Sequence, residues 1–374
     1  MSTIERRSSR EGSQSMSPIE RELSLSRVRG DSAGGEEGFT NKAPLTLPPW
    51  ARGVYGGQII AQALLAAYET VPAAFAVHSI HCHFLNAATV DAPIVYHVER
   101  VRDGSNFTTR VVRARQRQRL VASATASFTR ERTGAKSLKH ASPMPDDETP
   151  PPDDLEAHAQ SAAGQADPDR PCDCVRSRLE SKGLLPHERR ARQWVRARGK
   201  IGETSPPDGD NRGVGPGSQD GHRAHVAALA YMSDNYFIGT AYRVHNASRF
   251  SGLSSPHPML ARTETAAAAA GSNPAAAQAY FDWLAEEERD DNRDAPRNDQ
   301  RVETMATLDH TIFFHEPRHF RADEWLLFEM ESPWAGHERG LVAGRIWSHR
   351  GTLVATCVQE GVARLFQSQS HSKL

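Results

Sequence analysis

The sequence predicts an α+β fold made of two copies of one unit, a helix followed by antiparallel strands. Three observations carry this. Apolar residues recur with helical period from Gly56-Gly57-Gln58 through Ala67, and again at about 224 to 234. Four stretches of alternating apolar and polar residues follow the first helix, at 77 to 85, 93 to 101, 107 to 116 and 119 to 130. Four more follow the second, at 307 to 315, 325 to 332, 340 to 348 and 352 to 364. Finally, a shift of 232 positions lays His78 on His310, Asp91 on Asp323, Glu99 on Glu331 and Gly104 on Gly336. A shift of 233 then lays Leu120-Val121-Ala122-Ser123 on Leu353-Val354-Ala355-Thr356. The duplication implies two sheets, each wrapped on its own central helix, side by side.

The rest of the chain divides by composition. Residues 1–39, rich in Ser, Arg, Glu and Gly, are expected to be largely disordered, because they hold too little apolar area to offset their ordering entropy. The first repeat takes 40–135, a linker 136–188, and the second repeat 189–366, with a polar insert at about 246–300. Within that insert an Ala-rich helical stretch, Pro274 to Glu288, runs into Glu286-Glu287-Glu288-Arg289-Asp290-Asp291 and reads as solvated. A tail, 367–374, closes on Ser372-Lys373-Leu374, the tripeptide that the peroxisomal import receptor reads. The expected location is therefore the peroxisomal matrix, with that receptor as a partner.

Charge and cysteine usage exclude several classes. With 45 Lys plus Arg against 46 Asp plus Glu, no global basic field gathers nucleic acid. No apolar run approaches the roughly 20 residues of a membrane span. The four cysteines, Cys82, Cys172, Cys174 and Cys357, are too scattered for a disulfide framework. Cys172-Asp173-Cys174 with His187 lacks the spacing of a strong zinc site and reads as linker. Arg113, Arg115, Arg117 and Arg119 alternate onto one strand face, and Arg189 to Arg198 is a denser basic run. Solvated edge strands explain both, with phosphate contact as the functional alternative.

Chemistry is sought where the two copies differ. On the last strand of the first repeat Leu120, Ala122, Ala124, Ala126 and Phe128 share a face; the second has Leu353, Ala355, Cys357, Gln359 and Gly361 there. Burying the Gln359 carboxamide costs about 1–3 kcal/mol unless its hydrogen bonds are met. Water, substrate and neighbouring backbone are all open as partners. Asp234 ends an apolar helix, where a carboxylate is more often a turn residue than a base. Thr307 is an ordinary strand residue. A Walker loop is missing from the sequence. Gly30-Asp31-Ser32-Ala33-Gly34 and His315-Glu316-Pro317-Arg318-His319 match the Gly-x-Ser-x-Gly and His-Glu-x-x-His patterns in letters alone. The first lies in the polar amino-terminal segment and the second at the end of the strand read at 307 to 315, with Pro317 inside it, so neither has the strand-turn-helix or the helix its chemistry needs.

Five motifs in order then resemble the type II acyl-CoA thioesterases, bacterial and peroxisomal. They are Arg52-Gly53-Val54-Tyr55-Gly56-Gly57-Gln58-Ile59-Ile60-Ala61-Gln62-Ala63-Leu64, His78-Ser79-Ile80-His81-Cys82-His83-Phe84, Thr307-Leu308-Asp309-His310, Glu331-Ser332-Pro333-Trp334-Ala335 and Val358-Gln359-Glu360-Gly361-Val362. The resemblance covers about 40–135 and 190–366. It implies a double hot-dog fold, hydrolysis of fatty acyl-CoA to free acid and CoA, no metal or organic cofactor, and assembly into homo-oligomers. It also implies that Asp234, Thr307 and Gln359 are catalytic and together hold a water. Gly56, Gly57, Gln58 and His78 are the expected substrate-binding residues, the glycines as backbone oxyanion donors or as small residues for tight packing. The long insert between Asp234 and Thr307 departs from compact members of that family. Two rivals stand beside this reading: an enoyl-CoA hydratase using Asp309-His310, and a non-catalytic acyl-CoA binding protein.

Overall fold

A computed structural model describes residues 16–28, 37–48, 51–130, 136, 138–152, 171–177, 179, 183–202, 221–250, 282, 284–286, 288–289 and 300–366. The tripeptide Ser372-Lys373-Leu374 lies outside them. The first half contains α1 (Pro18–Leu23), β1 (Leu25–Arg27), β2 (Glu37–Asn41), α2 (Gly56–Tyr68), β3 (Phe75–Phe84), β4 (Val95–Asp103), β5 (Phe107–Gln116) and β6 (Arg119–Arg130). The second contains β7 (Cys172–Arg176), β8 (Ala191–Ala197), α3 (His222–Met232), α4 (Thr240–Arg243), β9 (Val302–Phe314), β10 (Leu326–Gly336), β11 (Arg339–Ser348) and β12 (Leu353–Leu365).

Among the described residues all twelve strands form one sheet in the order β1-β2-β4-β5-β6-β3-β9-β12-β11-β10-β8-β7. Read outward from the central β3–β9 pair, the two halves repeat the same order. At that pair Ile80 faces Ile312, and these are the residues that the shift of 232 makes equivalent. The duplication is therefore a two-fold relation in space, and the architecture is the double hot-dog.

Two helices fill the concave side. Every residue of α2 from Gly57 to Tyr68 is buried, as expected of a helix apolar on all sides. In α3 the same holds from Ala224 to Met232. The helices run antiparallel. Gly57, at the start of α2, meets the Tyr231 carbonyl near the end of α3, where an added Cβ would stand 2.3 Å from that oxygen. Arg223, at the start of α3, donates to the carbonyls of Tyr68 and Val71 at the end of α2.

Several expectations are corrected. Residues 16–28 and 37–39 are ordered: α1 opens on a capping box between Ser17 and Glu20 and buries Ile19 and Leu23, with Leu25 after them. Gln58 and Gln62, one turn apart on α2, donate to the Glu22 carbonyl, while the Glu22 carboxylate accepts from the hydroxyls of Thr46 and Tyr231. A short polar segment thus gains order by docking three apolar anchors on a ready-made helix pair.

Cys172-Asp173-Cys174 belongs to strand β7 rather than to a linker. The middle of the basic run, Ala191–Ala197, forms β8, which is paired on both sides; its outward Arg192 meets Glu329 at 2.7 Å and its outward Arg196 meets Asp173 at 3.3 Å. Arg117 leaves the strand face of Arg113 and Arg115, because Arg117 and Gln118 make a hairpin turn at φ 46° and 70°. In the insert, Glu288 is buried and accepts the backbone N–H groups of Arg249 and Phe250.

Candidate active site

The three candidate catalytic side chains arrive from three elements. Asp234 follows α3, whose last turn is closed by Ser233: its hydroxyl donates to the Ala230 carbonyl (2.9 Å) and lies 2.8 Å from Nε2 of His310 on β9. With the Ser233 proton committed, the satisfied tautomer of His310 donates from Nε2. The end of α3 is thereby pinned to the sheet.

Gln359 projects from the concave face of β12, opposite His310 on one side and Val342 on the other. Thr307 would face outward if β9 alternated regularly, because Asp309 and Thr311 do. A bulge intervenes: Glu360 pairs with Asp309 but Gly361 pairs with Thr307, leaving Leu308 as the extra residue and turning Thr307 inward.

The result is a cluster. Nε2 of Gln359 donates to Oδ1 of Asp234 at 2.6 Å and to Oγ1 of Thr307 at 3.2 Å. An ionised carboxylate only accepts, so the carboxamide is oriented with its nitrogen toward Asp234. The other acid oxygen, Oδ2, accepts the backbone N–H of Gly57 at 2.9 Å, at the positive end of α2. Gln359 is fully buried, and its Oε1 has no hydrogen-bond partner among the described residues.

These contacts compete over the charge of Asp234. The carboxyl keeps some solvent contact, yet protein crowds it closely. Desolvation dominates and raises its pKa to about 6, while the bonds from Gln359 and Gly57 pull the other way. A carboxylate poised there is a competent general base near neutral pH. Burial also holds His310 neutral, with a pKa near 3, and pushes the thiols of Cys82 and Cys357 up, so neither sulfur is an activated nucleophile.

The expected substrate-binding residues separate. Gly56 adjoins Asp234: a Cβ there would stand 2.9 Å from Oδ2 and 3.1 Å from the Phe84 ring. Its amide finds no partner among the described residues, whereas the amides of Gly57 and Gln58 are taken by Asp234 and by the Tyr55 carbonyl. The Gln58 side chain points away, accepting from the Thr46 amide while it holds the N-terminal arm.

His78 does not join the cluster. It is the bulged residue of β3, its Nε2 2.8 Å from the Ser127 hydroxyl and its ring edge-on to Phe107, on the convex side. Asp309 and His310 are adjacent in a strand and face opposite sides, so the acid-histidine pair of a hydratase does not form. Sequence reasoning missed Ser233 and His310 as supports of the site; the signal was their position beside Asp234 and opposite Gln359.

The chain matches the family models for the acyl-CoA thioesterase N-terminal domain over residues 45–129 and the acyl-CoA thioesterase C-terminal domain over residues 145–363. It belongs to the type II acyl-CoA thioesterases. Among thioesterase relatives, acyl-coenzyme A thioesterase 8 of Mus musculus is 33% identical over 352 residues, 87% of this chain and 85% of the mouse protein. The peroxisomal acyl-coenzyme A thioester hydrolase 1 of Saccharomyces cerevisiae is 32% identical over 108 residues, 29% of this chain and 31% of the yeast protein. In space, the crystal structure of the acyl-CoA thioesterase II TesB2 from Mycobacterium marinum superposes with a TM-score of 0.57 at 26% identity, covering 94% of this chain and 99% of that one.

Proposed function

We propose that this thioesterase hydrolyses fatty acyl-CoA to free fatty acid and CoA through direct attack of water, with no covalent enzyme intermediate. One observation carries the mechanism: the single Gln359 nitrogen joins the Asp234 carboxylate to the Thr307 hydroxyl, so that base and orienting groups converge on one point. Asp234 takes a proton as the water oxygen bonds to the thioester carbon, and Thr307 and Gln359 direct the water's lone pairs. The negative charge moves to the former carbonyl oxygen, beside which the Gly56 amide at the start of α2 is the available donor. Collapse of that intermediate breaks the C–S bond, and the proton held by Asp234 passes to the departing sulfur. The products are a carboxylic acid and a free thiol.

Thiol release from acyl-CoA by purified protein tests the reading. Asp234→Asn should abolish release while the melting curve stays cooperative; undiminished turnover would reject Asp234 as the base. Stoichiometric binding of acyl-CoA with no release would favour the non-catalytic alternative. Location in the peroxisome is supported by the name of the yeast relative and by Ser372-Lys373-Leu374. A fluorescent fusion carrying those residues should collect in peroxisomes, and removing them should disperse it.

A further inference from the structure

Arg249 is 7% exposed, yet its guanidinium has no carboxylate partner among the described residues. Its contacts are the Met305 sulfur, 3.6 Å from Nη1, and the ring of Phe250, 5.4 Å from centroid to Cζ. The nearby acid, Glu288, accepts the backbone amides of Arg249 and Phe250 and favours the Arg249 charge from there without an ion pair to its guanidinium among the described residues. A second cation adjoins. Arg52, exposed in the loop that leads to Gly56, reaches only the Thr304 hydroxyl among the described residues, at 3.4 Å. Burial disfavours the cationic form of Arg249 most, Tyr242 and Glu288 oppose that in part, and the charge of Arg52 adds to it. A guanidinium so placed is costly unless an anion completes it.

The position of these two arginines matters as much as their charge. Met305 and Thr304 precede Thr307 by two and three residues on β9, a separation of no more than about 10 Å along the strand. Arg52 precedes Gly56 by four residues. The cationic pair therefore stands beside both elements that furnish the reacting centre. The anionic half of an acyl-CoA is its diphosphate and 3′-phosphate, and guanidinium forks suit phosphate oxygens.

We propose that Arg249 and Arg52 form the subsite that takes a phosphate of the CoA moiety. The assignment rests on the hydrolase reading for its ligand, but it is tested by binding, independently of turnover. Calorimetry with CoA, 3′-dephospho-CoA, 4′-phosphopantetheine and pantetheine reads it directly. Arg249→Gln should weaken CoA about tenfold to a hundredfold, the range of a charge-assisted hydrogen bond, with the loss absent for pantetheine. The phosphate whose removal from the ligand erases the difference between the two proteins is the one bound.

If Arg249→Gln fails to fold, the exposed Arg52→Gln variant decides: weaker CoA with unaltered pantetheine supports the subsite, and unaltered CoA overturns it. Equal affinity of the parent protein for CoA and pantetheine also overturns it. The two readings fail separately. Equal kcat/KM for acyl-CoA and acyl-pantetheine would remove the subsite and leave the hydrolase; phosphate-dependent CoA binding with no thiol release would do the reverse.

Discussion

The two repeats have exchanged the sizes of one cross-strand pair. In the first, Ala126 on β6 faces Arg110 on β5; in the second, Gln359 on β12 faces Val342 on β11. Arg110 is fully buried and saturated, bonding the Thr70 hydroxyl at 2.7 Å, the Thr70 carbonyl at 2.9 Å and Asp103 at 2.6 Å. Thr70 lies just past the end of α2, as Asp234 lies just past the end of α3. One fold position thus holds a closed, fully paired cation in one copy and an acid with an unmet carboxamide oxygen in the other. The space beneath each helix end is equivalent in the two copies, and the residue pair filling it separates a supporting cation from the proposed water-holding site.

The sharpest way to break this contrast is to give the second repeat the residue of the first. Gln359→Ala should lower thiol release by about 10²- to 10⁴-fold, the scale of a lost acid-base array, with the fold intact by circular dichroism. A smaller loss would mean that Asp234 orients water without it. Conversely, Arg110→Met should cost about 2–4 kcal/mol in urea unfolding, since buried hydrogen bonds are lost, while each folded molecule keeps its turnover. Impaired turnover in that variant would show the first copy to be chemically engaged.

Acidity offers a finer probe. With Asp234 titrating near 6, kcat/KM should fall about tenfold per pH unit below pH 6 and level off above it. The same shift carries a stability consequence. The folded chain holds this proton more tightly than the unfolded chain, so the contribution of Asp234 is full below about pH 4 and is lost as pH rises through 6. Asp234→Asn should therefore exceed the parent in stability at pH 7, by up to about 3 kcal/mol, with the gap closing below pH 4. The smallest effect belongs to the hydroxyl: Thr307→Ala should cost about tenfold to a hundredfold in turnover, and Thr307→Ser much less, because Ser restores the bond to Gln359.

A second contrast between the copies shows where sequence reading stops. His78 and His310 are equivalent under the 232-residue shift, yet one turns out to Ser127 and the other in to Ser233. Strand alternation places Gln359 inward correctly, since β12 keeps its register there. It fails at Thr307 and at His78, where a bulge changes the parity of the strand. The N-terminal arm eluded composition for a related reason: Ile19, Leu23 and Leu25 are too few for a core of their own and suffice only against α2 and α3.

The duplicated helix-strand unit, the position of its core faces and the identity of the acid, hydroxyl and carboxamide were all written locally, in periodicities and motifs a few residues long. Which way Thr307 and His78 face, how far Asp234 is desolvated and what Arg249 is buried beside were decided only when distant strands and helices met. Those properties depend on the register of a partner strand and on atoms brought close by folding, and neither is encoded in any single stretch of chain.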